Sequence, residues 1–196
     1  MDVNERIAAR VRNLRAERGY TLDALAERSG VSRSMISLVE RGESSPTASV
    51  LDKLAAGLGV TLAALFEDEV RAEAASPLAR HGAQPVWQDP ASGYVRRNVS
   101  PPGYPSAIQL VAVEFPPGKR VAYDGASRDV EFDQQVWVVE GVMEVTVGTA
   151  VWRLEPGDCL AMQLDKPIAY RNPGRKPARY LVALASVSHP ASTRNR

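Results

Sequence analysis

The chain has 196 residues, 24 basic and 23 acidic, so its net charge is +1. That balance excludes bulk electrostatic attraction to nucleic acid, and any DNA affinity must come from basic groups placed locally. One cysteine, Cys159, excludes an internal disulfide and fits a reducing compartment. The N-terminal segment is charged and amphipathic without a signal-peptide core. No stretch approaches the roughly 18–20 uninterrupted apolar residues of a membrane span. The expectation is a cytoplasmic protein with no membrane partner. His81, His189 and one cysteine cannot supply a closed structural zinc site.

Residues 4–18 predict a first helix, with Ile7, Val11 and Leu14 as its apolar stripe and arginines on the other faces. Between 20 and 46 come two short helical patterns joined by a tight turn. Leu22, Leu25 and Ala26 have i, i+3, i+4 spacing, and Thr21 stands before them as an N-cap. Gly30 suits the left-handed end of that helix. Ser32 caps the second, whose apolar positions are Met35, Ile36 and Val39, and Gly42 ends it. Residues 47–58 predict a fourth helix, and Thr61 a short fifth one in which Leu62, Leu65 and Phe66 close the core. Five helices in about 65 residues form a bundle able to fold alone.

From Asp68 the character changes. Residues 69–83, rich in Ala, Glu and Arg, with Ser76-Pro77 and Gly82, predict a linker. Beyond Gln84 short β-type runs follow at 86–87, 94–99, 108–115, 135–139, 142–147, 151–154, 159–162, 168–171 and 179–185, separated by Gly/Pro turns. That rhythm indicates an all-β sandwich or barrel. The expected organisation is a DNA-binding domain over 1–68, a linker over 69–83, a β domain over 84–187 and a flexible tail over 188–196.

Thr21, Leu25-Ala26, Gly30-Val31-Ser32, Ile36-Ser37, Glu40-Arg41-Gly42, Pro46 and Leu54-Ala55 together resemble the lambda-repressor/Cro-like helix-turn-helix of the XRE family. The resemblance implies a structural ion pair between Arg15 and Glu40. Independently of family, a helix entering the major groove presents only its first two turns to the bases. Here those turns carry Ser32, Arg33, Ser34 and Ser37, with Leu38 able to touch a thymine methyl. Arg33 can bond a guanine edge through two N–H groups. Thr21, Arg41 and Thr47 are candidates for phosphate contacts, which position without specifying. One unit makes few base contacts, so two units about a two-fold axis are expected to read a pseudo-palindrome in double-stranded DNA.

Phe115-Pro116-Pro117-Gly118, Val138-Val139-Glu140-Gly141, Leu154-Glu155-Pro156-Gly157-Asp158, and Asn172 with Gly174 resemble a cupin, a jelly-roll double-stranded β-helix barrel. Metal-binding cupins carry histidines and a glutamate where this chain has residues 127–130, Gln134 and Ile168. Amide and aliphatic groups do not replace imidazole and carboxylate around a transition metal. The expectation is therefore no metal, no cofactor and no catalytic residue. A small barrel still encloses a cavity for one ligand. Candidate lining residues are Gln134, Val136, Cys159, Met162, Ile168 and Tyr170, with Tyr94, Arg97, Tyr104, Tyr123 and Arg128 at the mouth. Trp87, Trp137 and Trp152 read as core or dimer anchors, and Cys159 as a buried structural thiol. The whole reads as a homodimeric transcriptional regulator whose cupin dimerises and senses a small-molecule effector. The competing readings are a metal-dependent epoxidase or dioxygenase with an accessory helix-turn-helix, and an antitoxin-like protein whose cupin only dimerises.

Overall fold

The computed structural model describes residues 3–66, 75–125 and 131–187. Helix α1 (Val3–Glu17) buries Ile7, Ala8, Val11 and Leu14, the side of the helix that recurs every three to four residues. Helix α2 (Leu22–Ser29) starts where the Thr21 hydroxyl accepts the Ala24 N–H at 3.0 Å, and ends where Gly30, at φ 67°, donates its N–H to the Ala26 carbonyl. Helix α3 (Arg33–Glu40) is capped by Ser32, and α4 (Ala48–Gly57) by Thr47. The fifth helix is not formed. Residues Ala63–Phe66 make a single 3-10 turn, in which Ala64 N–H bonds the Thr61 carbonyl at 3.1 Å and Leu65 N–H bonds that of Leu62 at 3.3 Å. Up to Phe66 the tighter i→i+3 pattern takes the place of the expected i→i−4 ladder.

The β half contains ten strands, all paired antiparallel. They are β1 (Val86–Gln88), β2 (Val95–Asn98), β3 (Ile108–Phe115), β4 (Arg120–Tyr123), β5 (Glu131–Glu140), β6 (Met143–Val147), β7 (Ala150–Leu154), β8 (Cys159–Gln163), β9 (Ile168–Arg171) and β10 (Ala178–Val187). A six-stranded sheet runs β1-β2-β3-β10-β5-β8 and a four-stranded one β4-β9-β6-β7. The two do not close into the expected barrel; they form an open sandwich with the core between them. Strand β4 escaped the sequence reading, because four residues soon after Pro-Pro-Gly are too short to show a period.

A run of aromatic rings links the halves. Phe66 of the 3-10 turn lies 5.6 Å from Trp87, Trp87 lies 5.9 Å from Tyr94, and Tyr94 stacks on Phe115 at 5.5 Å. Tyr180 and Tyr170, stacked at 6.0 Å, carry the run deeper. Polar contacts accompany it. Buried Asp89 accepts the Ala48 N–H at the start of α4 at 2.9 Å, adding a carboxylate to that helix's positive end. Asn98 Nδ2 donates to the Ala63 carbonyl at 3.0 Å, the Thr61 hydroxyl donates to Gln109 at 2.6 Å, and Lys53 pairs with Asp124 at 2.8 Å. The helical unit is therefore seated on the sandwich. Residues 67–74, which end the expected helical domain and begin the expected linker, lie outside the described residues, as do 126–130 and the expected tail 188–196.

Candidate nucleic-acid interface and interdomain cavity

Helix α3 is anchored from behind and open at its start. Ile36 and Val39 are fully buried against the bundle, and Met35 is half-buried beside them. Its far end is held by Arg15, which forks onto Glu40 through two bonds of 2.6 and 2.8 Å and also donates to the Tyr20 carbonyl at 2.9 Å. That two-point pair sits mostly out of water, and the Glu40 bond raises the arginine's pKa, so it stays charged. Ser32, Arg33 and Ser34 at the open end are exposed, while Ser37 and Leu38 are half-buried on the next turn. Arg33 Nε lies 3.2 Å from Asp23 of α2, across the turn. Ser37 accepts from Arg41, which also pairs with Glu43 at 2.8 Å. Thr21, Ser32 and Thr47 each use an oxygen as a cap acceptor, and the Ser32 hydroxyl also lies 3.2 Å from that of Ser34. All eight candidate residues thus lie on helices α2 to α4 or at their ends.

A cavity of about 80 Å³ opens between the two sheets where the helical unit meets them. Among the predicted lining residues, Gln134, Ile168 and Tyr170 face it, as do Tyr94 and Tyr123 from the predicted mouth. Val136 and Met162 are buried in the core without lining it. Cys159 is a correction: it is exposed, on the outer face of β8 opposite Trp137, because its strand turns Met162 inward and every second residue outward. Arg97 also points outward, donating to the His81 carbonyl at 3.1 Å, and Tyr104 is exposed; Arg128 lies outside the described residues.

The residues missed include Arg96, Tyr180, Lys166 and the aliphatic wall of Val111, Val113, Val182 and Leu184, together with Asp52 and Leu62 from the helical unit. The signal for Arg96 was present in the sequence, since Tyr94, Arg96 and Asn98 alternate with the outward Val95 and Arg97. Gln134 donates its amide to the Tyr170 oxygen and approaches Met162 sulfur at 3.9 Å. Tyr94 and Tyr123 hydroxyls are 3.2 Å apart. Burial pushes the phenols of Tyr94, Tyr123, Tyr170 and Tyr180 above the ordinary tyrosine range, so all four remain neutral O–H groups.

Among the described residues the cupin ligand positions do not fit a divalent transition metal. Gln134 offers an amide already bonded to a phenol, Ile168 offers a methyl, and no cluster of three His, Cys, Asp or Glu is present. No helix among the described residues is long and apolar enough to cross a membrane.

A capped helix-turn-helix seated on a cupin-like sandwich defines a DNA-binding class of protein, and the comparisons agree. Residues 11–65 match the Helix-turn-helix family and residues 112–184 the Cupin domain family. The chain is 24% identical to the HTH-type transcriptional regulator SutR of Escherichia coli (strain K12) over 174 residues, covering 89% of this chain and 91% of that one. Over 61 residues it is 38% identical to the HTH-type transcriptional regulator y4dJ of Sinorhizobium fredii, spanning 31% of this chain and 79% of that protein. An HTH_3 family transcriptional regulator from Vibrio cholerae shares the fold across 96% of this chain and 97% of its own, with a TM-score of 0.74 and 24% identity. The chain belongs to the XRE-type helix-turn-helix transcriptional regulators, with a C-terminal cupin domain.

Proposed function

We propose that the chain works as a two-fold dimer that reads a pseudo-palindromic operator through Ser32, Arg33, Ser34, Ser37 and Leu38. Thr21, Arg41 and Thr47 hold the phosphates on either side. In this reading residues 1–68 form the reading head and 84–187 the clamp and sensor. The observation that carries it is the start of α3, exposed and hydroxyl-capped while Ile36, Val39 and the Arg15–Glu40 pair fix the helix behind it. Footprinting at moderate salt tests it: sequence-selective protection is expected, and uniform, salt-labile coverage contradicts base readout.

One helix-turn-helix reads only a half-site, so a second copy must be held in place. The outer face of the six-stranded sheet suits that partner. Trp137 and Leu110, 46% and 39% exposed, flank Leu181 and Ala183 of the central β10, with Cys159 alongside. A sheet apolar on both faces needs a cover on each, and the inner face is already covered by the other sheet. Arg179, paired with Glu114 at 3.1 Å and Glu140 at 3.5 Å, gives this face a polar border.

The cupin-like domain is a binder in this proposal. Its cavity takes Asp52 and Leu62 from the helical unit into its lining, so an occupant touches both halves. An effector with unequal affinity for two dimer arrangements then changes how the two heads fit their half-sites.

A further inference from the structure

The cavity contains a buried cation that, among the described residues, forms no ion pair. Arg96 on β2 is 6% exposed, its Nε has no hydrogen-bond partner, and among the described residues no carboxylate pairs with it. Its guanidinium lies 4.9 Å from the centre of the Phe66 ring. Stacking on a ring offsets part of the cost of burying a charge, and the guanidinium also bonds the Tyr94 hydroxyl, but its Nε–H is left unsatisfied. Asp52 shares the lining and has an interaction of its own. Lys166 stands at the rim.

The groups around Arg96 are donors. Tyr94, Tyr123, Tyr170 and Tyr180 all bring phenols to the cavity, and Tyr170 already accepts from Gln134, so its O–H is left to give. Val111, Val113, Val182 and Leu184 line the rest with hydrocarbon. The volume of 80 Å³ holds about six waters at roughly 10–15 Å³ each.

We infer that this cavity binds a small organic carboxylate of about six non-hydrogen atoms. Its anionic end meets Arg96 and the hydroxyls of Tyr94 and Tyr123, and its carbon end packs on the valines and Leu184. The inference rests on the effector-binding reading above and supplies the chemical class. One buried cation with Lys166 only at the rim, a carboxylate in the lining and largely hydrocarbon walls favour a singly charged organic acid over sulfate or phosphate. Because Arg96 also stacks on Phe66, a carboxylate drawn to its unsatisfied Nε–H acts on the seat of the helical unit.

The test is thermal unfolding and calorimetric titration of the full chain with acetate, propionate, butyrate and lactate, against propionamide and sodium sulfate at equal ionic strength. At tenfold excess over Kd at least one carboxylate raises Tm by about 3–6 °C, and propionamide and sulfate do not. Arg96→Met keeps the contact with Phe66, unfolds at an equal or higher Tm without ligand, and loses the carboxylate response. Tyr123→Phe stays folded and binds about tenfold more weakly. The inference is overturned if no carboxylate shifts the wild type, if propionamide or sulfate matches it, or if Arg96→Met keeps the response or unfolds at a lower Tm. A carboxylate that binds without changing DNA affinity upholds the site and removes only the sensing reading. A DNA footprint that persists where no carboxylate binds removes only the site.

Discussion

Arg33 has two competing partners. Without DNA it pairs with Asp23 at 3.2 Å, both side chains well exposed. Such surface pairs contribute about 0–1 kcal/mol, whereas a two-bond contact to guanine discriminates by about 1–3 kcal/mol. In the proposed reading the base contact outcompetes the pair with Asp23. Arg33→Ala is accordingly expected to lower the ratio of specific to non-specific affinity by about 5- to 150-fold, as competition gel shifts will measure; an unchanged ratio contradicts base readout. The cavity tyrosines give a second residue-scale expectation. Burial raises the pKa of Tyr94, Tyr123, Tyr170 and Tyr180 above the value of about 10 found in unfolded chains. Their neutral forms are favoured by folding, so the stability they contribute is complete below pH of about 10 and is lost as pH rises beyond it. Ultraviolet titration should show these phenols ionising together with unfolding; ionisation of all four in an intact fold contradicts their burial. Arg33 and its neighbours were legible in the sequence because caps and turns are local signals. Arg96 was not, since choosing between it and Arg97 depends on the phase of a four-residue strand, and one step reverses every side chain.

At the scale of elements, the helical unit depends on close approach as much as on its stripes. A side-chain carbon on Gly57, near the end of α4, lies 2.8 Å from the Ser29 Cβ of α2, closer than packed atoms tolerate. Ser29 is itself buried, with its hydroxyl bonded to the Leu25 carbonyl, and cannot swing aside. Gly57→Ala is expected to cost about 1–3 kcal/mol through overpacking, read as a lower urea midpoint; no change means that α2 and α4 separate easily. The four α-helices were readable because each has its own apolar period, and α2, α3 and α4 a hydroxyl cap as well. The fifth reading failed because Thr61 announces a helix start equally well for a 3-10 turn. The strands were readable as a rhythm, but β5 was placed four residues late. Its first turn-proximal residues, Glu131 to Gln134, look polar although Phe132 and Gln134 point inward. Closure of the sheets is a long-range property with no local signature, and the sandwich remains open.

For the whole molecule, the account requires that the outer sheet face set the distance between two reading heads. Trp137→Glu places a charge in that face without touching the inner core, since Trp137 is 46% exposed. The variant is expected to sediment as a folded monomer and to lose operator affinity, while a dimer of unchanged stability places the contact elsewhere. The seating of the heads on the sandwich, through Asp89 on α4 and Phe66 on Trp87, was invisible to sequence reading, which placed a linker between the halves. Those contacts join residues 41 and 21 positions apart, a separation that no spacing rule reaches. The most direct measurement of the central claim is selection of bound duplexes from a random-sequence DNA pool by the full chain at moderate salt. The two-fold dimer is expected to enrich a pseudo-palindrome whose half-site centres lie about 34–36 Å, or one helical turn, apart, lost with Trp137→Glu and relaxed at one base pair per half-site with Arg33→Ala. A pool that remains random, or a single asymmetric half-site bound equally well by Trp137→Glu, contradicts it.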